Sequence, residues 1–156
     1  MIVWNDAVTD RTSYDTSRVI ELTNKIKNNT ITQEEMTEWL AGLKGALNKS
    51  DLERIENNIQ LLSDVLELDL PTYVDNIPDL PDESYYLNLV NNVQALRESA
   101  YVRRTTPQTP QQPINTYTKW NDIEKILQDI FEILHNNFYY YCGSEIYAGE
   151  QFGLLL

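Results

Sequence analysis

Residues 50–66 read SDLERIENNIQLLSDVL, and this stretch decides the fold. Leu52, Ile55, Ile59, Leu62 and Leu66 recur at spacings of three and four, which puts them on one stripe of an α-helix. The other positions are mostly polar, so such a helix buries one face and shows the other to water. Ser50 is read as the N-cap and Glu53 as the acid three positions on. In that pattern the hydroxyl accepts a helix-end N–H and the carboxylate reaches back to the cap.

Upstream, the same logic predicts two more helices. One starts near Thr12 or Ser13, buries Val19, Leu22 and Ile26, and ends at Asn28-Asn29. The next opens on a capping box in Thr32-Gln33-Glu34-Glu35 and carries Met36, Trp39, Leu40 and Leu43, with Gly42 and Gly45 marking its end. Downstream, Pro71, Pro78 and Pro81 rule out a helix and predict a loop around Tyr73, Val74 and Ile77. Asp82-Glu83-Ser84 then opens a fourth helix, with Tyr86, Leu89, Val93, Leu96 and Ala100 as its stripe. Residues 105–113, TTPQTPQQP, read as an extended, stiff linker. Beyond it, Thr118 or Asn121 caps a long last helix with Ile123, Ile126, Ile130 and Ile133 inward, and Leu127 and Leu134 widening that face.

The expected fold is therefore all-α, a small bundle of four to five amphipathic helices with a proline-rich linker. An extended C-terminal tail, with Gly143, Gly149 and Gly153 among alternating residues, is suited to pair as a β-strand with a neighbour. The expected organisation is a helical domain over 1–104, a linker over 105–117, and a long helix with an interaction tail over 118–156. A weak internal echo aligns Asn57–Leu62 with Asn91–Leu96, and Asp51–Ile55 with Asp122–Ile126. Convergence of amphipathic helices on a few good residues explains it more simply than a repeated unit.

With 156 residues the chain can bury a real core without disulfide or metal. It carries 24 acidic against 12 basic side chains, a formal charge of −12, which repels bare nucleic acid. The plain reading of that acidity is a solvated, solubilising surface. One cysteine, Cys142, allows no intrachain disulfide and fits an intracellular origin. The opening MIVWNDAVTDRT lacks the form of a signal peptide, and no apolar run reaches membrane-spanning length.

No catalytic pattern emerges. The single histidine, His135, suits the end of the last helix, where a cation is favourable. A Cys142–His135 nucleophile and base lacks an orienting residue and any family signature around it. Spacings for zinc, calcium or phosphate loops are missing. The expectation is a non-enzyme with no cofactor and no metal. Arg11, Trp39 and Asp51 read as capping and packing residues.

The aromatics point elsewhere. There are ten tyrosines and three tryptophans, and no single helix face can bury the run Phe138-Tyr139-Tyr140-Tyr141. Such rings supply large contact area at low entropic cost. The expected protein-interaction residues are Trp4, Phe138, Tyr139, Tyr140, Tyr141, Ile146, Tyr147 and Phe152, the last three on the strand-like tail.

Several blocks together resemble small virion-associated proteins of phages and prophages of Gram-positive, clostridia-like bacteria. They are Trp4 with Thr9–Thr12, Glu38–Asn48, Ser50–Asn58, Asn121–Leu127 and the closing Gly143–Glu150. Cys142 stands before the closing motif where the family is expected to have a small residue. The resemblance implies a structural part of the tail, baseplate or fibre-attachment region. Such a part is made in the host cytoplasm and held in the virion or a phage-tail-like particle. Its partners would be other phage structural proteins, in an oligomeric setting, with neither nucleic acid nor membrane span. An assembly chaperone or scaffold for a tail or fibre protein is the alternative, and a cell-wall or glycan hydrolase a more distant one.

Overall fold

The stripe on residues 52–66 lies at the centre of the core. The structure is a computed structural model that describes the backbone of residues 3–143 and the side chains of residues 3–136. It contains five helices: α1 (Ser13–Lys27), α2 (Gln33–Ala41), α3 (Lys49–Val65), α4 (Glu83–Ser99) and α5 (Tyr117–Gly143). Among the described residues no strand occurs, and their regular structure is all helix. The expected strand-like tail lies outside them.

Helices α3, α4 and α5 pack on one another. Leu52, Ile55, Ile59 and Leu62 of α3 meet Tyr85, Leu89, Val93 and Leu96 of α4. Trp120, Ile123, Ile126, Leu127 and Ile130 of α5 close the same cluster, and Ile77 plugs it from the α3–α4 loop. This one core draws on residues from both sides of the 105–117 segment. Residues 105–116 have neither helix nor strand and lie along the bundle. Arg97 Nε donates to the Pro107 carbonyl at 2.8 Å, and Lys119 Nζ donates to the Gln111 and Pro113 carbonyls at 2.9 and 2.7 Å.

The helix ends show the predicted chemistry with two shifts, and the buried stripe of α4 is offset by one residue at its start. Thr12 and Asp15 form a capping box at α1, and Thr32 and Glu35 form one at α2. Gly42 closes α2 at φ 91°, a left-handed backbone that glycine adopts without strain. At α3 the cap is Asn48, not Ser50. Asp51 accepts the Asn48 N–H at 2.9 Å, so this acid replaces Glu53 and the helix starts earlier. On α4 the fully buried tyrosine is Tyr85, while Tyr86 is half-buried and packs edge-on to Tyr85 and Trp120. The reason is that 85, 89, 93 and 96 continue one stripe down from the Asp82 cap. Helix α5 starts at Tyr117, ahead of the expected Thr118 or Asn121 cap: Thr116 Oγ1 accepts the Lys119 N–H at 3.4 Å, and the Asn121 carboxamide is engaged with Arg11.

The α1–α2 hairpin is built differently. Leu22 is the only buried side chain of α1, and α2 has none. Surface ion pairs join the two: Arg18 to Glu38 at 2.7 Å, and Lys25 to Glu35. Gly45 fastens the following loop, since a Cβ there would sit 2.3 Å from the Asp15 carbonyl.

Candidate functional site

Residues 3–12 carry no helix and lie across α3 and α5 as an extended arm. At its start, Trp4 stacks flat on Phe131 of α5, with ring centroids 4.1 Å apart and planes 5° apart. Next, Asn58 of α3 takes both backbone groups of Asn5: its Oδ1 accepts the N–H at 2.9 Å and its Nδ2 donates to the carbonyl at 2.7 Å. Six residues on, Asn121 of α5 does the same for Arg11, at 3.2 and 2.8 Å. Between them Glu124 accepts the Val8 N–H at 2.6 Å. A carboxamide that pairs with both the N–H and the C=O of one residue holds extended backbone as a neighbouring strand would.

The Arg11 side chain is the arm's charged anchor. It is 5% exposed, donates to the Val8 carbonyl at 2.7 Å, and reaches Glu124 at 2.8 Å and Asp51 at 3.4 Å. Glu124, 1% exposed, is held from the other side by Arg54 at 2.8 and 3.1 Å. Arg54 also meets Asp51 at 2.7 Å. Two guanidiniums and two carboxylates thus form one balanced, largely buried network, each charge paired by at least one opposite partner. Burial alone would lower the Arg54 pKa, but the hydrogen bonds and charges of Glu124 and Asp51 outweigh it and hold it raised.

The helices place these groups by simple spacing. Asp51, Arg54 and Asn58 run along α3 at steps of three and four, beside the apolar stripe. Asn121 and Glu124 do likewise on α5, next to Trp120 and Ile123. A one-sided version occurs on α4: Asn92, buried, donates to the Pro71 carbonyl at 2.8 Å, with Asn88 on the same oxygen at 2.7 Å. Asn58 and Asn92 are matched positions in the sequence echo, and both hold backbone of a non-helical segment.

Two other carboxylates are buried among the described residues. Asp129 accepts Thr106 Oγ1 at 2.6 Å and pairs with Lys125 and Arg103, which ties the chain after α4 onto α5. Glu56 accepts the Tyr73 N–H at 3.0 Å, with the Tyr85 hydroxyl beside it. Desolvation raises the pKa of the Glu56 carboxyl, and burial next to that carboxylate raises the Tyr85 phenol. An open groove of about 540 Å³ runs outside this pair, lined by Gln60 and residues 72–76. Among the described residues no group of three or more His, Cys, Asp or Glu is placed to hold a metal ion.

Of the interaction residues expected from sequence, Trp4 is found half-buried against its own chain. Phe138, Tyr139, Tyr140 and Tyr141 fall on the last turns of α5, where the side chains are outside the described set. Ile146, Tyr147 and Phe152 lie outside the described residues altogether. His135 stacks on Phe131 at 5.4 Å. From the sequence, Arg11 and Asp51 read as structural and Asn121 as a helix cap, while Asn58 and Glu124 carry no signal of their own. Each is only a polar residue flanking an otherwise apolar stripe. Among the described residues no helix is long and apolar enough to cross a membrane. A comparison with models of known protein families finds no match, and neither the curated proteins nor the solved structures give one.

Proposed function

We propose that this chain is a non-enzymatic structural subunit of a phage or phage-tail-like particle, in the tail, baseplate or fibre-attachment region. It binds its neighbours through extended arms carried on a helical body. The observation that carries this reading is the N-terminal arm, held on the bundle by its backbone and two anchor side chains, Trp4 and Arg11. Support also comes from where the family-like blocks lie. Thr9–Thr12, Ser50–Asn58 and Asn121–Leu127 supply Arg11, Asp51, Arg54, Asn58, Asn121 and Glu124, which meet in one site. The Ile146–Phe152 tail is the proposed second arm, with the tyrosine run on the last turns of α5 as the adjoining hydrophobic patch.

Mass spectrometry of purified particles tests the reading. The chain is expected at a fixed ratio to the tail proteins. Particles that contain none of it would sink the proposal. Recovery only in lysate, bound to a tail or fibre protein, would establish the assembly chaperone in its place.

A further inference from the structure

The bundle α3–α5 has a complete apolar core to which the arm adds one half-buried ring, that of Trp4. Of residues 3–12, five are exposed, four are half-buried and Arg11 alone is buried. The arm therefore sits on a finished surface as a bound peptide does. Without Arg11 the groove holds Asp51, Glu124 and Arg54, two negative charges against one positive. That leaves a desolvated seat one positive charge short, whose oxygens already face a guanidinium. Asn58 and Asn121 read backbone alone, so together the groove recognises an extended segment with an aromatic ring at one end and an arginine seven residues on.

The arm belongs mechanically to a different piece of the molecule. Thr12 caps α1, Asp10 pairs with Lys44 at 2.6 Å, and Gly45 sits on the Asp15 backbone. From the arm to Gly45 the chain thus holds together as one piece, and residues 46–48 join it to α3. Helices α1 and α2 make no extensive packing with α3–α5, so the clamp fastens this piece to the bundle. A segment whose seat and tether are separate in this way suits exchange between identical chains.

We propose that the α3/α5 groove is a peptide-recognition site that takes residues 3–12 of a second copy of this chain in place of its own. The inference rests on the reading of the chain as a subunit that binds neighbours, and it names one such neighbour. The test uses the full chain carrying Arg11→Ala, which weakens the resident arm and leaves the groove unaltered. A fluorescent peptide of residues 3–12 is expected to bind this variant saturably. An Arg11→Ala peptide should bind at least roughly tenfold more weakly, as loss of a charge-assisted bond requires. Adding Asn58→Ala to the chain should weaken binding too. Mixed with tagged wild-type chain, the variant should be retained on the tag as a mixed oligomer. Circular dichroism checks that the variant keeps its helices. If it does not, Trp4→Ala serves as the weakened-arm chain. No peptide binding to a folded variant overturns the proposal. Peptide binding without mixed oligomers overturns the second copy as occupant. Either failure leaves the particle reading to be decided by mass spectrometry alone.

Discussion

Glu56 is fully buried, with a backbone N–H as its hydrogen-bond donor. Its native pKa is raised, so the folded state keeps the proton to higher pH than the unfolded chain. This group favours folding at low pH, and the benefit is lost as pH rises from the ordinary carboxylate range through the raised native value. Glu56→Gln keeps the acceptor for Tyr73 and removes the charge. It is expected to stabilise the protein by on the order of 1 kcal/mol at neutral pH. Urea denaturation should show that gain shrinking as pH falls into the ordinary carboxylate range. Arg11→Ala acts the other way. It strips one of the two guanidiniums from a buried carboxylate that keeps Arg54, and should cost about 2–3 kcal/mol in the same assay, less than the full loss of a buried pair. At this scale the apolar positions were legible and the polar ones were not. Periodicity marks Leu52 or Ile123 as inward. It is silent on Asn58 and Glu124, whose burial depends on an arm more than fifty residues away in sequence.

Helix limits were legible wherever one local pattern stood alone. Thr32 with Glu35 and Asp82 with Tyr85 sit at the ends the sequence indicates. At α3 two patterns overlapped, Asn48 with Asp51 and Ser50 with Glu53. Asp51 is also the partner of Arg54 and Arg11, so its tertiary contacts favour the upstream cap. Ser50→Ala should therefore change stability by under about 0.5 kcal/mol, while Thr32→Ala should cost about 1 kcal/mol. Chemical denaturation of the two variants checks the contrast. Gly45→Ala drives a methyl group into the Asp15 backbone and is expected to cost about 1–3 kcal/mol. Hydrogen exchange should place that loss in α1 and α2 and leave α3 protected. The start of α5 was misread because Thr118 and Asn121 have good capping chemistry, and nothing local reveals that Asn121 is holding Arg11.

As a whole the protein is a three-helix core carrying a hairpin and an arm. The all-α class follows from the sequence because each helix has a full apolar stripe. The unequal roles of the helices do not, since the α1 stripe of Val19, Leu22 and Ile26 has the same spacing as the others yet buries Leu22 alone. Amide exchange in native protein should separate the two parts, with α1 and α2 opening at lower free energy than α3–α5. Equal protection across all five helices would contradict that division. The arm also sets an order of events during synthesis. Val8 is bound by Glu124, 116 residues later in the chain. At about ten residues per second, its partner is made roughly ten seconds after it. Through that interval residues 3–12 travel unclamped beside other growing chains on the same messenger. On crowded polysomes, arm docking therefore becomes a contest between waiting for the chain's own last helix and joining a sister's that is already finished.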